Sequence, residues 1–407
     1  MSSGFKAYSA ILIPDGAWRF SLAGWFGRLY RVGTSVGVIM LIVDATGDYA
    51  LAGVAAGATV VASAVGAPLW SIAADRFGQA RVMAIGIVAI LSGISLLIGV
   101  VTLDAPRWTW IVAAAIAGLA ILDAGAMVRA RWLHKVHDDP SRQSALALES
   151  ASDELAFLIG LPVVALAAGI VGPAIALFGS AVLSSAGFAV LALLRSSTPP
   201  VGGHDGLEPV RGIAAWLPRG VLAPMIAFVG IGLMFGTMNV SGVAISEAAG
   251  KPELAGLIIA SFSLGAVGAG LVLGAIGGRW SVGFRMAIAA IAFAVTAPAL
   301  VFVRDPIGFA ITVAIIGIGA GSLLVASFSA VEARAPRMAM TVAMAWPPVA
   351  VSLGSSLGAA VAGVAIDQSG PFAGWWIPVV GAGLGLVGWA AVTATLRADA
   401  KGYAVRD

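Results

Sequence analysis

Twelve stretches of about twenty or more mostly apolar residues fill nearly the whole of this chain, and they constrain its fold more than any other feature. They run at 20–43, 50–73, 80–102, 108–131, 144–170, 172–194, 220–245, 254–277, 283–303, 306–331, 339–364 and 373–396. Each is long enough, as a helix, to cross a hydrocarbon layer about 30 Å thick. Backbone groups in hydrocarbon must pair within their own segment, so such runs fold as helices. Sixty per cent of the residues are hydrophobic and 11% are charged, against about 25% charged in soluble domains. A soluble fold could not cover its surface with so few charges, so lipid is part of the solvent. The expectation is an all-α membrane protein.

The runs repeat. Leu51-Ala52-Gly53 opens one that closes on Asp75-Arg76, and Leu254-Ala255-Gly256 opens another that closes on Arg279. The copies start 203 residues apart in a chain of 407. Duplicated helix sets of this kind are how many transporters are built. The polar, Pro/Gly-rich stretch 195–219, with Pro199-Pro200 and Gly202-Gly203, lies near the midpoint. The chain is therefore expected to form two pseudo-symmetric six-helix bundles, 1–194 and 220–407, joined by a linker at 195–219. With both termini placed in the cytoplasm, Arg107, Lys251 and Arg304 alone among the loop and helix-end cations fall outside, as the positive-inside rule asks. Glycines such as Gly265, Gly268, Gly270 and Gly274, and Gly354, Gly358 and Gly363, offer small-residue faces for close helix contact. The first 17 residues show no pattern of a cleavable signal peptide.

Other classes find little support. There are no cysteines, and His134, His137 and His204 are scattered, so neither a thiolate site nor a histidine metal cluster is expected. No nucleophile–base set points to an enzyme, and no clustered basic surface points to nucleic acid. No cofactor is implied.

The turn after the second run reads Ser71-Ile72-Ala73-Ala74-Asp75-Arg76-Phe77-Gly78-Gln79-Ala80-Arg81. It resembles the loop signature of the major facilitator superfamily, Gly-x-x-x-Asp-Arg-x-Gly followed by basic residues. Asp75, Arg76 and Gly78 match, Ser71 replaces the first glycine, and the basic tail is thinned to Arg81. The resemblance implies a twelve-helix monomeric transporter in which Asp75, Arg76, Gly78 and Arg81 form a conformational latch. Asp75 would contact the start of the eleventh run near Arg337–Thr341. The second copy keeps Arg279 but has Gly278 where Asp75 stands, so the latch would be asymmetric. Gly160-Leu161-Pro162 resembles, in degraded form, the Gly-Pro-rich bend of antiporters in the superfamily; a generic proline kink is the competing reading.

Ionisable residues inside the first-half runs are the sharper clue. They are Arg28 and Arg31, Asp123, and Glu149, Asp153 and Glu154. Six such groups facing lipid would cost on the order of 15–20 kcal/mol by insertion scales. They must face protein or water, and pair. Arg28 and Arg31 are three apart and share a helix face, as do Glu149 and Asp153, four apart. Glu154 is turned away from Asp153 by about 100°. Asp153 is the first candidate proton carrier, with Glu149 and Asp123 behind it. Arg28 or Arg31 would serve as counter-charge or as anchor for an anionic group. Static salt bridges are the competing reading. Glu154 is expected as a structural partner, and Arg129 and Arg131 as interface anchors.

The second half has no acid deep in its runs, so Asn239 and Trp346, with Ser327 and Ser329 behind them, are the polar and aromatic candidates for substrate contact. The functional expectation is a secondary transporter of the bacterial inner membrane. It would work by alternating access and export an amphipathic drug-like compound or metabolite in exchange for protons. The alternative is a proton-coupled importer of a small organic anion or nutrient. Expected partners are a small-molecule substrate, protons and membrane lipids.

Overall fold

The structure, a computed structural model, describes residues 12, 16–136, 141, 145, 148–149, 152–153, 155–200, 221–276, 280–334 and 340–404. Among the described residues there are helices and no strands. Ten helical segments are long and apolar enough to cross a membrane, and two shorter apolar ones, Ala156–Val171 and Pro252–Gly268, fall on the expected fifth and eighth runs. The all-helical, multi-pass architecture read from the sequence is therefore present. Expected features at Glu154, His137, His204, 201–219, Gly278, Arg279 and Arg337 lie outside the described residues.

In chain order the helices are α1 (Ala17–Gly27), α2 (Leu29–Thr46), α3 (Tyr49–Phe77), α4 (Gln79–Thr102), α5 (Arg107–Leu119) and α6 (Ala124–Lys135). A π-helical segment, Ala156–Gly160, leads into α7 (Leu161–Val171), followed by α8 (Pro173–Leu193). The second half holds α9 (Leu222–Ala248), α10 (Ala255–Ile276), α11 (Val282–Thr296), α12 (Pro306–Glu332), α13 (Met340–Ser369) and α14 (Trp376–Ala404).

Two compact units result. The first contains residues 1–46 and 62–206, the second 47–61 and 207–407. The first turns of α3 thus group with the second half of the sequence. In the first unit α8 packs on α1, α2 and α4, and α7 packs on α2. In the second, α9 packs on α13 and α14, and α10 on α12.

Close backbone approach explains much of the glycine content. A Cβ on Gly236 would lie 1.9 Å from the Ser355 carbonyl oxygen, and one on Gly265 1.8 Å from that of Ala314. Gly354 and Gly358 abut Val229 and Leu233 in the same way. These seams let helices associate by van der Waals contact where lipid removes any hydrophobic drive. Gly268 is an exception to the expectation, because a Cβ there meets nothing within 4 Å.

The start of α3 is tied down by charge. Asp367, near the end of α13, accepts from the backbone N–H of Tyr49 at 3.0 Å and of Ala50 at 2.7 Å. Asp48 accepts from Leu51 N–H at 2.7 Å, and the Tyr49 hydroxyl donates to Glu247 at 3.0 Å. A helix N-terminus leaves four N–H groups without intrahelical partners and carries a partial positive charge. Two carboxylates here answer both needs.

Candidate functional site

Three helix interruptions meet the charged residues of the first unit. The first run breaks at Arg28, between α1 and α2. The Arg28 N–H falls back to the Trp25 carbonyl at 3.1 Å, and the freed Gly27 carbonyl accepts from the Ser184 hydroxyl at 2.7 Å. The fourth run breaks over 120–123, between α5 and α6. Its exposed carbonyls are met by side chains: Trp70 Nε1 donates to Leu119 at 2.8 Å, and the Tyr30 hydroxyl to Ala117 at 3.3 Å. Asp123 then caps α6 by accepting from Ala126 N–H at 3.0 Å. The fifth run carries the π segment immediately after Asp153, and Pro162 occupies the first turn of α7. Single wide turns of this kind are frequent at functional sites, and broken helices build binding sites in many transporters.

The side chains converge on Arg28. It is 1% exposed and donates through Nε to Asp153 at 2.6 Å and through Nη2 to Glu149. Glu149 is fully buried. Its Oε1 accepts from the Ser21 hydroxyl and from Trp132 Nε1, each at 2.9 Å. The sequence spacing of Glu149 and Asp153 therefore does what a helical face predicts: both carboxylates reach one arginine.

Asp153 differs from Glu149 in two ways. Its second oxygen accepts from Arg129, so it bridges two guanidiniums. It is also 21% exposed, where Glu149 is closed. A point one Cβ bond from Gly125 lies 3.0 Å from Arg129 Nη1, 3.2 Å from Asp123 Oδ1 and 3.3 Å from Asp153 Oδ1. Gly125 thus admits two carboxylates and a guanidinium around the start of α6, where any side chain would crowd them. Arg31 is half-buried and lies over the Phe157 ring, 5.7 Å from its centroid. Among the described residues it makes no ion pair or hydrogen bond.

Two sequence expectations are corrected. Arg129 is not an interface anchor, because it pairs with Asp153. Arg131 is not one either: it is fully buried and donates to Gln79 Oε1, the Leu191 and Leu194 carbonyls and the Ser197 hydroxyl at 2.8–3.0 Å. A cation there satisfies the carbonyls at the end of α8 and complements its dipole. Arg129, Ser21 and Trp132 were missed as members of the charged cluster. Ser21 stands two turns before Arg28 on the same face, and Trp132 three residues after Arg129, which is the only signal the sequence offered.

The second-unit candidates are dispersed. Asn239 is half-buried on α9. Trp346 packs against the buried cluster of Val221, Phe228, Val331, Ala343 and Ala350. Ser327 Oγ is buried with no hydrogen-bond partner, while Ser329 donates to the Val325 carbonyl. Among the described residues no group of His, Asp or Glu has the make-up of a metal site.

At the α3–α4 turn, Gly78 has φ 88°, which only glycine adopts without strain. Asp75, Arg76 and Arg81 around it are exposed, and Arg76 lies over the Phe77 ring. The sequence profile of the Major Facilitator Superfamily matches residues 20–306, well over half the chain. The chain belongs to that superfamily. No curated protein matches it. Solved superfamily-like structures share its fold at low identity. The nucleoside transporter NupG is 15% identical, covers 94% of this chain and 99% of its own, and superposes with a TM-score of 0.71. An auto-inhibited POT family peptide transporter is 13% identical, covers 94% and 97%, and gives 0.67. A POT family transporter in complex with 5-aminolevulinic acid is 14% identical, covers 94% and 96%, and gives 0.66. The chain is thus a multi-pass Major Facilitator Superfamily transporter and not an enzyme.

Proposed function

We propose that this chain is a proton-coupled secondary active transporter that works by alternating access, with Asp153 as the group that takes up and releases the proton. The observation that carries this reading is the contrast between two carboxylates on one arginine. Glu149 is closed off and held by three donors, whereas Asp153 is partly open and bridges Arg28 and Arg129. A group that exchanges protons must be reachable by water in part of its cycle. Protonating Asp153 removes the charge that both guanidiniums share, so the local arrangement changes with loading. Glu149 then keeps Arg28 in place and serves as the fixed counter-charge. Among the described residues, Asp123 is a further acid close by, across Gly125 from Asp153.

Export of an amphipathic compound against protons is supported by the apolar second unit, where Asn239 is the main polar candidate. Co-transport of an organic anion is supported by Arg31, a cation in the field of Asp153 that makes no ion pair or hydrogen bond among the described residues. The charge arrangement favours the anion. Both termini inside, supported by the Lys/Arg distribution, a bacterial cytoplasmic membrane, supported by the compact loops and Ala/Gly-rich composition, and a monomeric state, as is usual in the superfamily, complete the reading.

The test is proton movement in inside-out vesicles. Addition of a transported compound should move protons in the wild type and not in Asp153→Asn, while surface expression stays equal. Unaltered coupling in that variant rejects Asp153 as the carrier.

A further inference from the structure

We infer that Arg31 and Phe157 form the docking position for an anionic group of the substrate, a carboxylate or phosphate ester next to an apolar or aromatic body, and that this anion and the Asp153 proton load together. The inference rests on the reading of Asp153 as carrier and deepens it by naming the substrate chemistry and the sense of coupling.

The argument starts from position. Glu149, Asp153 and Phe157 follow one another at four-residue intervals along the fifth run. Opposite them, Arg28 meets the first two and Arg31 meets the third. Arg31 is thus placed along the same seam as the ion pairs, yet an aromatic ring stands where the series would put another acid. A guanidinium over a ring keeps its planar fork of donors open at the edge while one face is covered. Arg28 is closed to a ligand: it is 1% exposed, its Nε and Nη2 are taken by Asp153 and Glu149, and its remaining Nη1 is buried. Phe157 itself is 37% exposed and belongs to the π segment, so the wide turn presents both an apolar surface and the cation above it.

Charge balance supplies the coupling. Among the described residues the cluster holds Arg28, Arg31 and Arg129 against Asp123, Glu149 and Asp153. With every group ionised, the charges cancel. Asp123 faces the α6 N-terminus, Glu149 faces Arg28, Ser21 and Trp132, and Asp153 pairs with Arg28 and Arg129 and lies within the field of Arg31. Protonating Asp153 leaves one positive charge in excess in a medium where unbalanced charge is costly. An anionic group on Arg31 restores neutrality. Proton without anion, or anion without proton, leaves the cluster charged. Such a site favours the doubly loaded and the empty states, which is the condition for symport. A cationic substrate would instead add to the excess positive charge of the Asp153-protonated cluster.

The experiment is thermal unfolding of the purified full-length chain in detergent against a matched panel. The anions are lactate, succinate, benzoate and phenyl phosphate. The controls are benzamide as a neutral analogue and benzylamine as a cationic one. At least one anion should raise Tm by about 2 °C or more at about pH 5.5, and by less at about pH 7.5. Arg31→Gln should abolish that shift, and Arg31→Lys should retain part of it. Asp153→Asn, which mimics the protonated acid, should give the same anion shift at both pH values. Stabilisation by the neutral or cationic compounds alone, by no compound, or by an anion whose effect survives Arg31→Gln overturns the inference. An anion shift that needs Arg31 but keeps its pH dependence in Asp153→Asn upholds the docking position and rejects Asp153 as the carrier.

Discussion

Arg129 takes the oxygen of Asp153 that Arg28 leaves open, so a single partly exposed carboxylate joins the break in the first run to the start of α6. The proposed role of Asp153 as proton carrier, as opposed to a static salt bridge, rests on this joint. Replacing Arg129 by Gln keeps a hydrogen-bond donor but removes the charge. Transport coupled to protons should fall at least tenfold. Thermal stability should change by less than about 1.5 kcal/mol, because both partners are partly exposed. Vesicle assays paired with unfolding curves check this.

Glu149 sits at the other extreme. It is buried, and Arg28 beside it is 1% exposed. Removing one partner of such a pair leaves an uncompensated charge and costs about 3–5 kcal/mol. Glu149→Ala and Arg28→Ala should both lower the unfolding temperature steeply, and Asp153→Asn should not. A Glu149→Ala variant as stable as the wild type would contradict the burial described for this pair.

Trp132 tests the same carboxylate from its neutral side. Its Nε1 donates to Glu149 at 2.9 Å, and its ring meets Phe20 edge-on with centroids 4.7 Å apart. Trp132→Phe preserves most of the packing and deletes the donor. A loss of about 1–3 kcal/mol in unfolding free energy is expected, with Glu149 still held by Ser21 and Arg28.

Most of the architecture was legible in the sequence because hydrocarbon imposes one rule: a long apolar run must satisfy its own backbone. The pairing of Arg28 with Glu149 and Asp153 was legible for the same reason, since charge buried in an oily run needs a partner. What the sequence did not show was where helices break. Arg28 and 120–123 lie inside runs that read as continuous, and in the fifth run Gly160-Leu161-Pro162 marks a bend without revealing the wide turn at 156–160. Arg129 was misread as an anchor for lack of that knowledge, since the break before α6 is what turns it toward Asp153. The grouping of 47–61 with the second unit goes with contacts more than three hundred residues away in sequence, Asp367 to Tyr49 and Ala50 and Gly53 against Ala359, and no local pattern announces it.

That clasp yields a further prediction. Asp367 accepts from two consecutive amides at the start of α3. Asp367→Ala removes a cap worth about 1 kcal/mol together with its interaction with the helix dipole. Amide hydrogen exchange at Tyr49 and Ala50 should accelerate about fivefold or more, while exchange in the middle of α3 stays as in the wild type. Equal protection in the variant would show that the contact does not hold the turn.

The wide turn at 156–160 divides the fifth run into two pieces of different phase. The carboxylates before it aim at Arg28, while Leu161, Val164, Ala165 and Ala168 after it are turned into their own packing seam. Mutations that retune the greasy outer piece can therefore accumulate without re-aiming the acids. A one-residue deletion within 156–160 would rotate the two pieces against each other by about 100° and force a choice between a filled seam and a correctly pointed carboxylate.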